Sequence, residues 1–477
     1  MSQSGQSGES RVRSTLFHAS NSISLIGVGL ATASALTLIG FWVVDAFGHG
    51  GSANPYVGII LDVCLPILFV IGLILIPIGI SLRRRQLKAS GVSPSDYPKI
   101  ALDSPVFRRA LLFLLIATFI NFVILGTASY RGVAHMDKPT FCGQGCHVMT
   151  PEWNAYHVSP HSRVACTDCH IAEGVPGFVT AKLNGTRQLL HVVFNSYSTP
   201  IMPEGKVPPA HATCLRCHNP ERNTGDKLVV KTSFGDDENN SATHSLVLVH
   251  VGGRDLSGRA NGIHGAHMGR IEYIATDETK QTIPWAAKVN ADGTTTEYLA
   301  SDAKVPEGRE KRVMDCIDCH NRPAHSFDTP EGAINKAMAQ GKISSSLPFV
   351  RKQGLALIKA EYSSADDAKA KIENSLTEFY RTHYPEVWNQ KRDTVDQAAK
   401  ALSKIYSDNV FPFMKVTWGT HPNNLGHNDY PGCFRCHDGS HNAKDGKSIT
   451  NDCSTCHNLL AVDEANPKQM ADLGLLQ

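Results

Sequence analysis

The residues with the clearest chemical signature are six repeats of two cysteines followed directly by a histidine, numbered here as motifs 1 to 6. Two residues separate the cysteines in every motif except motif 1, which has three. The pattern C-x-x-C-H is typical of c-type haem attachment, in which both thiols bond to one haem and the histidine ligates its iron. The motif residues are Cys142, Cys146, His147, Cys166, Cys169, His170, Cys214, Cys217, His218, Cys316, Cys319, His320, Cys433, Cys436, His437, Cys453, Cys456 and His457.

Two other uses of cysteine are zinc binding and disulfide formation. A structural zinc site needs four ligands, usually from paired C-x-x-C units, whereas here every unit has its own histidine. A disulfide framework gives no reason for a histidine after every second cysteine. Twelve of the thirteen cysteines lie in the motifs, so the sequence predicts six covalent c-type haems. Haem attachment to cysteine takes place outside the cytoplasm, which places this part of the chain in the periplasm.

Histidines outside the motifs are the candidates for the sixth ligand of each iron. The chain has 22 histidines, so 22 − 6 = 16 lie outside the motifs, enough for mostly bis-histidine coordination. Two imidazoles without methionine favour a low reduction potential. The sequence G-I-H-G-A-H-M-G offers two candidates that are ligands or simply loop residues, and three more lie near motifs 5 and 6. These candidates are His264, His267, His421, His427 and His441.

The N-terminal region predicts a membrane anchor with three transmembrane helices. Ile23 to Val44, Val57 to Leu82 and Ala110 to Ala128 are each apolar and long enough to span a bilayer. Lysine and arginine are concentrated between the second and third stretches, which predicts a cytoplasmic N-terminus and a periplasmic haem region. Asp62, within the second stretch, is a functional candidate of low weight, or an interfacial residue in contact with water.

The predicted fold is a mainly α multihaem cytochrome c with extensive loops and a small β insertion. Alternating β-branched residues in KLVVKTSF and HSLVLVHV predict a hairpin in that insertion. Ser364, followed by two aspartates, predicts the start of a helix. The predicted divisions are a membrane anchor at 1–129, a four-haem core at 130–328 with the insertion at 219–312, a helical spacer at 329–410 and a two-haem segment at 411–477.

The segment from Phe141 to His325 resembles the NapC/NirT family of membrane-anchored tetrahaem quinol dehydrogenases. The similar motifs are C-H-x-M ending at Met149, S-P-H ending at His161, C-T-D-C-H, K-x-x-G-x-R-Q-L, and C-I-D-C-H-N-R-P-A-H ending at His325. The resemblance implies that Met149 ligates the first haem. It also implies that His161 and His325 complete the coordination of other haems.

The same resemblance implies a quinol site beside the first haem. Lys182 and Arg187 match basic residues of that site, with interfacial snorkelling as the alternative for both. Gln188 stands where the family carries Asp or Glu, which puts a carboxylate proton acceptor in doubt. His191, three residues on and on the same side of a helix, could replace it.

The expected activity is oxidation of quinol with electron delivery to a periplasmic cytochrome or reductase. Menaquinol is the expected quinol, because low-potential haems suit electrons from it. The chain departs from the family in having three membrane helices, a longer motif 1, the insertion and the C-terminal extension. In these respects it resembles the longer inner-membrane cytochromes of metal-reducing bacteria. The alternatives are a non-catalytic electron-transfer subunit of a larger membrane complex and a terminal multihaem reductase. A net charge of +2 gives no indication of a nucleic-acid partner, so the expected partners are lipid and the quinol pool.

Overall fold

A computed structural model describes most of the chain and divides it into two units. The described residues are 18–19, 21–47, 65–91, 105–201, 208–219, 225–254, 259–290, 292–301, 303–305 and 308–475. The two units are Met1–Asp137 and Lys138–Gln477, and each is considered by itself. Asp62 lies outside the described residues, as does Cys64.

The described residues of the first unit include three long helices, α1 (Ser22–Phe47), α2 (Leu65–Ala89) and α3 (Pro105–Met136). Within the described residues, α1 and α2 are long and apolar enough to cross a membrane, by length and composition. The prediction of three spans is therefore corrected to two. The third apolar stretch does form a helix, but α3 runs for 32 residues and continues at both ends into positions that carry arginine, including Arg108 and Arg131.

Helices α1 and α2 pack closely because small residues meet at their interface. A Cβ on Gly27 would lie 2.7 Å from the carbonyl oxygen of Gly72, and one on Gly72 would lie 2.7 Å from the backbone nitrogen of Ala31. The hydroxyl of Ser24 donates a hydrogen bond to the carbonyl oxygen of Ile76 at 3.0 Å. Small residues and a polar side chain are typical of helix pairs in a membrane.

The second unit is mainly helical, and its described residues include ten strands in small sheets. The helices before the insertion are short except for one of 20 residues, and the longest helix follows motif 4. In chain order the helices are α4 (Pro139–Gln144), α5 (Thr150–His157), α6 (Cys166–His170), α7 (Gly174–Val193), α8 (Ala210–Thr213), α9 (Gly262–His267), α10 (Cys316–Cys319), α11 (Pro330–Ala339), α12 (Val350–Lys359), α13 (Ala365–His383), α14 (Pro385–Asn409) and α15 (Lys468–Asp472).

The strands join the insertion to the C-terminal part of the chain. The predicted hairpin forms as β1 and β2, which pair from Lys227 with Val249 to Phe234 with Ala242. One sheet has the order β1-β2-β10, and a five-stranded sheet has the order β8-β5-β6-β7-β9. The strands are β1 (Lys227–Phe234), β2 (Ala242–Val249), β3 (Gly253–Arg254), β4 (Ala260–Asn261), β5 (Ile271–Ile274), β6 (Trp285–Val289), β7 (Thr295–Ala300), β8 (Arg312–Val313), β9 (His441–Ala443) and β10 (His457–Glu464).

Helices α11 to α14 form the largest apolar core of the described chain. Leu347, Ile358, Ile372, Leu376 and Leu402 are fully buried in it. The predicted cap is present, since the Ser364 side chain accepts a hydrogen bond from the backbone N–H of Asp367 at the start of α13. This segment carries no haem motif, so apolar packing of its own stabilises it.

Candidate functional site

Motifs 2 to 6 each fold around a short helical turn. Motif 2 occupies α6 and the cysteines of motif 4 form α10, while motifs 3, 5 and 6 contain 3₁₀ turns at Cys214–Arg216, Gly432–Arg435 and Cys453–Thr455. In motif 1, Cys142 lies in α4 and His147 begins a separate 3₁₀ turn. All twelve motif cysteines are free thiols, so both thiols of each motif are available for one haem.

Five motif histidines lie opposite a histidine from elsewhere in the chain. The ring centroids of each pair are 5.7–6.3 Å apart. Motif 1 is the exception, because the ring of His147 lies 6.3 Å from Tyr197. The pairs are His170 with His325 for motif 2, His218 with His161 for motif 3, His320 with His264 for motif 4, His437 with His267 for motif 5, and His457 with His427 for motif 6.

This spacing fits a haem iron held between two imidazoles. Imidazole nitrogens bind metals at about 2 Å, so two rings on opposite sides of one iron have centroids roughly 6 Å apart. The Nε2 atoms of His267 and His437 face each other at 3.5 Å, slightly less than two such bonds require. The other four pairs have centroid separations of 5.9–6.3 Å, which match the expected arrangement.

Hydrogen bonds at the other ring nitrogen fix the tautomer that leaves Nε2 for iron. A carbonyl oxygen can only accept, so the Nδ1–H of His161 donates to Pro323 at 3.1 Å and that of His325 donates to Glu152 at 3.1 Å. His267 and His437 donate in the same way to Ile263 at 2.7 Å and Thr450 at 2.6 Å. Metal-ligating histidines commonly have such a partner, which orients the ring.

Partial burial favours the neutral form of two of these imidazoles, which is the form that binds a metal. Loss of solvent is the main cause of the lowered pKa of His267 and His325. A hydrogen bond to a backbone carbonyl opposes the shift in each, and neighbouring positive groups add to it.

Motif 1 packs in a different environment. Cys146, Met149 and Tyr197 lie against a small apolar cluster that includes Phe327 and Met414. His147 and Met149 belong to one 3₁₀ turn, His147–Met149. The implied methionine is therefore beside motif 1, and the described residues place no second histidine ring opposite His147.

Two predicted ligands lie elsewhere. His441 is 1% exposed, and its ring nitrogens lie 3.1 Å from Asp438 Oδ1 and 2.8 Å from the carbonyl oxygen of Ile283. Both ring nitrogens are therefore engaged within the protein, and His441 faces no motif histidine among the described rings. His421 stacks near Phe327 at 5.3 Å, and burial, with a contribution from Arg322, lowers its pKa to about 4. It is a buried neutral histidine that faces no motif histidine among the described rings.

Thiols of successive motifs lie close enough to change one another's pKa. A hydrogen bond with Cys142 lowers the pKa of the Cys166 thiol to about 7. In the other pairs burial is the main cause of a raised pKa, and the neighbouring thiol adds to it. These pairs are Cys169 with Cys214, Cys316 with Cys214, Cys319 with Cys433, and Cys456 with Cys433. The attachment points therefore follow one another in space in the order of the sequence.

The predicted quinol residues all lie on α7. Lys182 is half-buried with its Nζ 5.1 Å from the centre of the Phe178 ring, and Arg187 and Gln188 are exposed. His191 is half-buried, and its Nδ1 lies 2.8 Å from the Ser196 hydroxyl. The helix also exposes a set of large apolar side chains, Phe178, Val179, Leu183, Leu189, Leu190 and Val193.

Two arginines inside the motifs were missed by the sequence reasoning. Arg216, between the cysteines of motif 3, donates a hydrogen bond to the carbonyl oxygen of Asp168, between the cysteines of motif 2. Arg435 of motif 5 donates in the same way to Asp318 of motif 4, at 2.7 Å. The signal was present in the sequence, because C-T-D-C-H is followed by C-L-R-C-H, and C-I-D-C-H by C-F-R-C-H. We call these contacts the 2–3 junction and the 4–5 junction.

Comparison with known proteins agrees with this organisation. Residues 105–206 match the N-terminal region of the NapC/NirT cytochrome c family. The cytochrome c-type protein ImcH of Geobacter sulfurreducens is 38% identical over 461 residues, which cover 94% of this chain and 90% of that protein. The cytochrome c-type protein TorC of Escherichia coli K12 is 28% identical over 138 residues, 25% of this chain and 35% of that protein. No solved structure matches this chain.

Proposed function

This chain belongs to the NapC/NirT family of multihaem c-type cytochromes, and on that premise we propose that it is an inner-membrane menaquinol dehydrogenase that passes electrons to a periplasmic acceptor. The observation that carries the proposal is the ordered set of five histidine pairs beside six consecutive attachment motifs. When bound, the haems supply one-electron transfer between neighbouring sites.

The chain's own residues have three tasks in this activity. The apolar helices α1 and α2 anchor it to the bilayer where quinol is dissolved. The five histidine pairs of motifs 2 to 6 would hold the irons of their haems, and two imidazole ligands favour the low potentials suited to electrons from menaquinol. Hydrogen bonds from Nδ1 to backbone carbonyls keep those rings oriented.

The quinol is proposed to bind along α7. The exposed apolar side chains of this helix, with Lys182 and Arg187 among them, have the character of a helix that lies in a membrane interface. Lys182 would bind an oxygen of the quinol head group. Oxidation of one quinol to quinone releases two protons and two electrons. His191, oriented by Ser196, would accept a proton in place of the carboxylate that the family carries at position 188. Both protons would then pass to the periplasm, and the electrons would pass one at a time to the haems.

Anaerobic reduction of the purified protein by menadiol, followed optically, tests the proposal. We expect Lys182→Ala and His191→Ala each to slow reduction by menadiol about 10²-fold or more, because loss of a proton-transfer group costs at least about that factor. Reduction by dithionite should be unchanged in both variants. Lys369→Ala, an exposed lysine on α13, is the matched control and should behave as the native protein. Wild-type protein that dithionite reduces and menadiol does not would contradict quinol oxidation.

The haem count is a separate test of the same proposal. A pyridine haemochrome assay should find six haems per chain, one for each motif. A count of five would identify motif 1, with its longer spacing, as the site without covalent haem. Four or fewer would contradict the ordered electron path.

A further inference from the structure

The 4–5 junction is built around a buried arginine that bonds three backbone carbonyls. Arg435 is 8% exposed. Its Nε donates to Gly432 at 2.8 Å, its Nη1 to Lys280 at 2.9 Å and its Nη2 to Asp318 at 2.7 Å. One guanidinium therefore links three segments, namely motif 5, the turn between β5 and β6, and motif 4. Carbonyl oxygens satisfy its hydrogen bonds without neutralising its charge.

Asp318 completes the link from the other side. It is 1% exposed, and its Oδ1 accepts from the Tyr273 hydroxyl at 2.7 Å and from Lys280 Nζ at 2.9 Å. Its Oδ2 accepts from the backbone N–H of Asp315 at 2.8 Å, which caps α10. The carbonyl oxygen of Lys280 thus accepts a hydrogen bond from Arg435, and its ammonium donates one to Asp318. The backbone of Lys280 has a φ of +58°. A residue other than glycine in this left-handed region indicates a position fixed by its surroundings.

Charged groups of both signs lie at this point. The groups that interact with the Asp318 carboxylate include Lys280 and Arg312, and Arg435 adds a third cation. The other acids nearby are Glu310, beside Arg312, and Asp438, beside Cys436. A buried positive charge stabilises an added electron more than an exposed one, because the surrounding medium screens it less.

Arg435 lies beside the attachment points of both haems. It stands between the two cysteines of motif 5, and its Nη2 donates to the carbonyl oxygen of Asp318, which stands between the two cysteines of motif 4. At the 2–3 junction, Arg216 has the same place in motif 3 and donates to the carbonyl oxygen of Asp168 in motif 2.

We propose that Arg435 is a positioning residue that fixes the attachment loops of haems 4 and 5 against each other and raises the reduction potentials of these two haems. The inference deepens the proposed function, since it concerns the step from the family-like four-haem segment to the two haems of the C-terminal extension. Charge and hydrogen-bond geometry are separate contributions, so two substitutions of the same residue distinguish them.

Arg435→Gln removes the charge, and Arg435→Lys retains it while losing the three-carbonyl geometry. Arg216→Gln is the matched control, because the same residue type at the 2–3 junction is 38% exposed. Each variant is first checked for six haems by pyridine haemochrome. The potentials are then measured by spectroelectrochemical titration with chemical mediators, and the thermal unfolding midpoint is recorded by circular dichroism.

We expect Arg435→Gln to lower two of the six reduction potentials. At a fixed applied potential, the ratio of reduced to oxidised haem at these two sites should fall about tenfold, which corresponds to about 59 mV for a one-electron couple. Arg435→Lys should leave all six potentials near their native values, and both variants should unfold at a lower temperature. Arg216→Gln should change neither quantity.

Unchanged potentials in Arg435→Gln would overturn the inference, as would an equal shift in Arg216→Gln. A shift in Arg435→Lys as large as that in Arg435→Gln would also overturn it, because loss of packing and not loss of charge would then be the cause. Arg435→Gln could fail to assemble six haems, and Arg435→Lys then decides the positioning role. Native potentials and an unchanged unfolding midpoint in Arg435→Lys would overturn it. Mediators replace quinol throughout, so failure of the menadiol assay and failure of this test are independent.

Discussion

The 2–3 and 4–5 junctions have the same chemical design in different surroundings. Each has an arginine between two cysteines that donates to the carbonyl oxygen of an aspartate between the cysteines of the preceding motif. At the 2–3 junction the arginine side chain is 38% exposed and pairs with Glu173, which is 73% exposed. At the 4–5 junction Arg435 and Asp318 are buried.

The difference shows that burial, and not residue type, decides how much such a contact stabilises. An exposed ion pair contributes about 0–1 kcal/mol, because water and salt screen it. Removal of one partner from a buried charged network costs about 3–5 kcal/mol, because an uncompensated charge stays behind. We therefore expect the 4–5 junction to contribute more than the 2–3 junction to the free energy of unfolding.

The insertion and the C-terminal extension together produce this burial. Tyr273 and Lys280 come from the insertion, and Arg435 comes from the extension. Strands β9 and β10 of the extension pair with β7 and β2 of the insertion. The two additions to the family-like segment thus form one structure around motifs 4 and 5.

Asp318→Ala should have the largest effect on stability. The substitution leaves Lys280 and the Tyr273 hydroxyl without their acceptor, and we expect a loss of about 3–5 kcal/mol in the free energy of unfolding. Denaturant titration of the haem-loaded protein measures it. Asp168→Ala, its exposed counterpart at the 2–3 junction, should cost less than about 1 kcal/mol. Equal losses in the two variants would show that the junctions do not differ.

Leu246→Ala should come next, because it weakens the sheet that joins insertion and extension. Leu246 is fully buried on β2, in contact with Ala461 and Met470 of the extension. Truncation of a buried leucine costs about 2–5 kcal/mol. Its direct partner on β1, Val230, is 40% exposed, so Val230→Ala should cost less than about 1 kcal/mol. A loss in Val230→Ala as great as in Leu246→Ala would argue against this packing.

Tyr273→Phe isolates one hydrogen bond of the 4–5 junction. Tyr273 is fully buried, and its hydroxyl donates to Asp318 at 2.7 Å. Loss of a hydrogen bond to a charged group should cost about 1.5–3 kcal/mol, measured by the same titration. Tyr298→Phe, at a half-buried tyrosine of β7, is the control and should be nearly neutral.

Glu173→Gln should have the smallest effect. It removes the exposed acidic partner of Arg216, and we expect a change below about 1 kcal/mol that disappears when salt is raised to about 1 M, where the Debye length is about 3 Å. Unfolding titrations at low and high salt measure it. A change that persists at high salt would mean that the 2–3 junction is buried in the haem-loaded protein.

The sequence alone determined the local features of this protein. The attachment motifs, the hairpin from Lys227 to Val249 and the cap at Ser364 each depend on residues that are close in the chain. Their type and spacing are sufficient because a thiol pair, a turn or a cap is complete within a few residues. Charge and hydropathy likewise indicated the apolar N-terminal helices, although the structure supports two spans and not three.

Only the tertiary structure decided which histidine faces which motif. The sequence offers His264, His267, His427 and His441 as equivalent candidates and assigns none of them to a motif. In the structure the first three each face a motif histidine, whereas both ring nitrogens of His441 bond to other groups. The pair of His267 and His437 is separated by 170 residues, and no local pattern encodes such a contact. The burial that distinguishes Arg435 from Arg216 has the same origin. Both arginines occupy the same place in their motifs, and only the sheets formed by distant segments remove one of them from water.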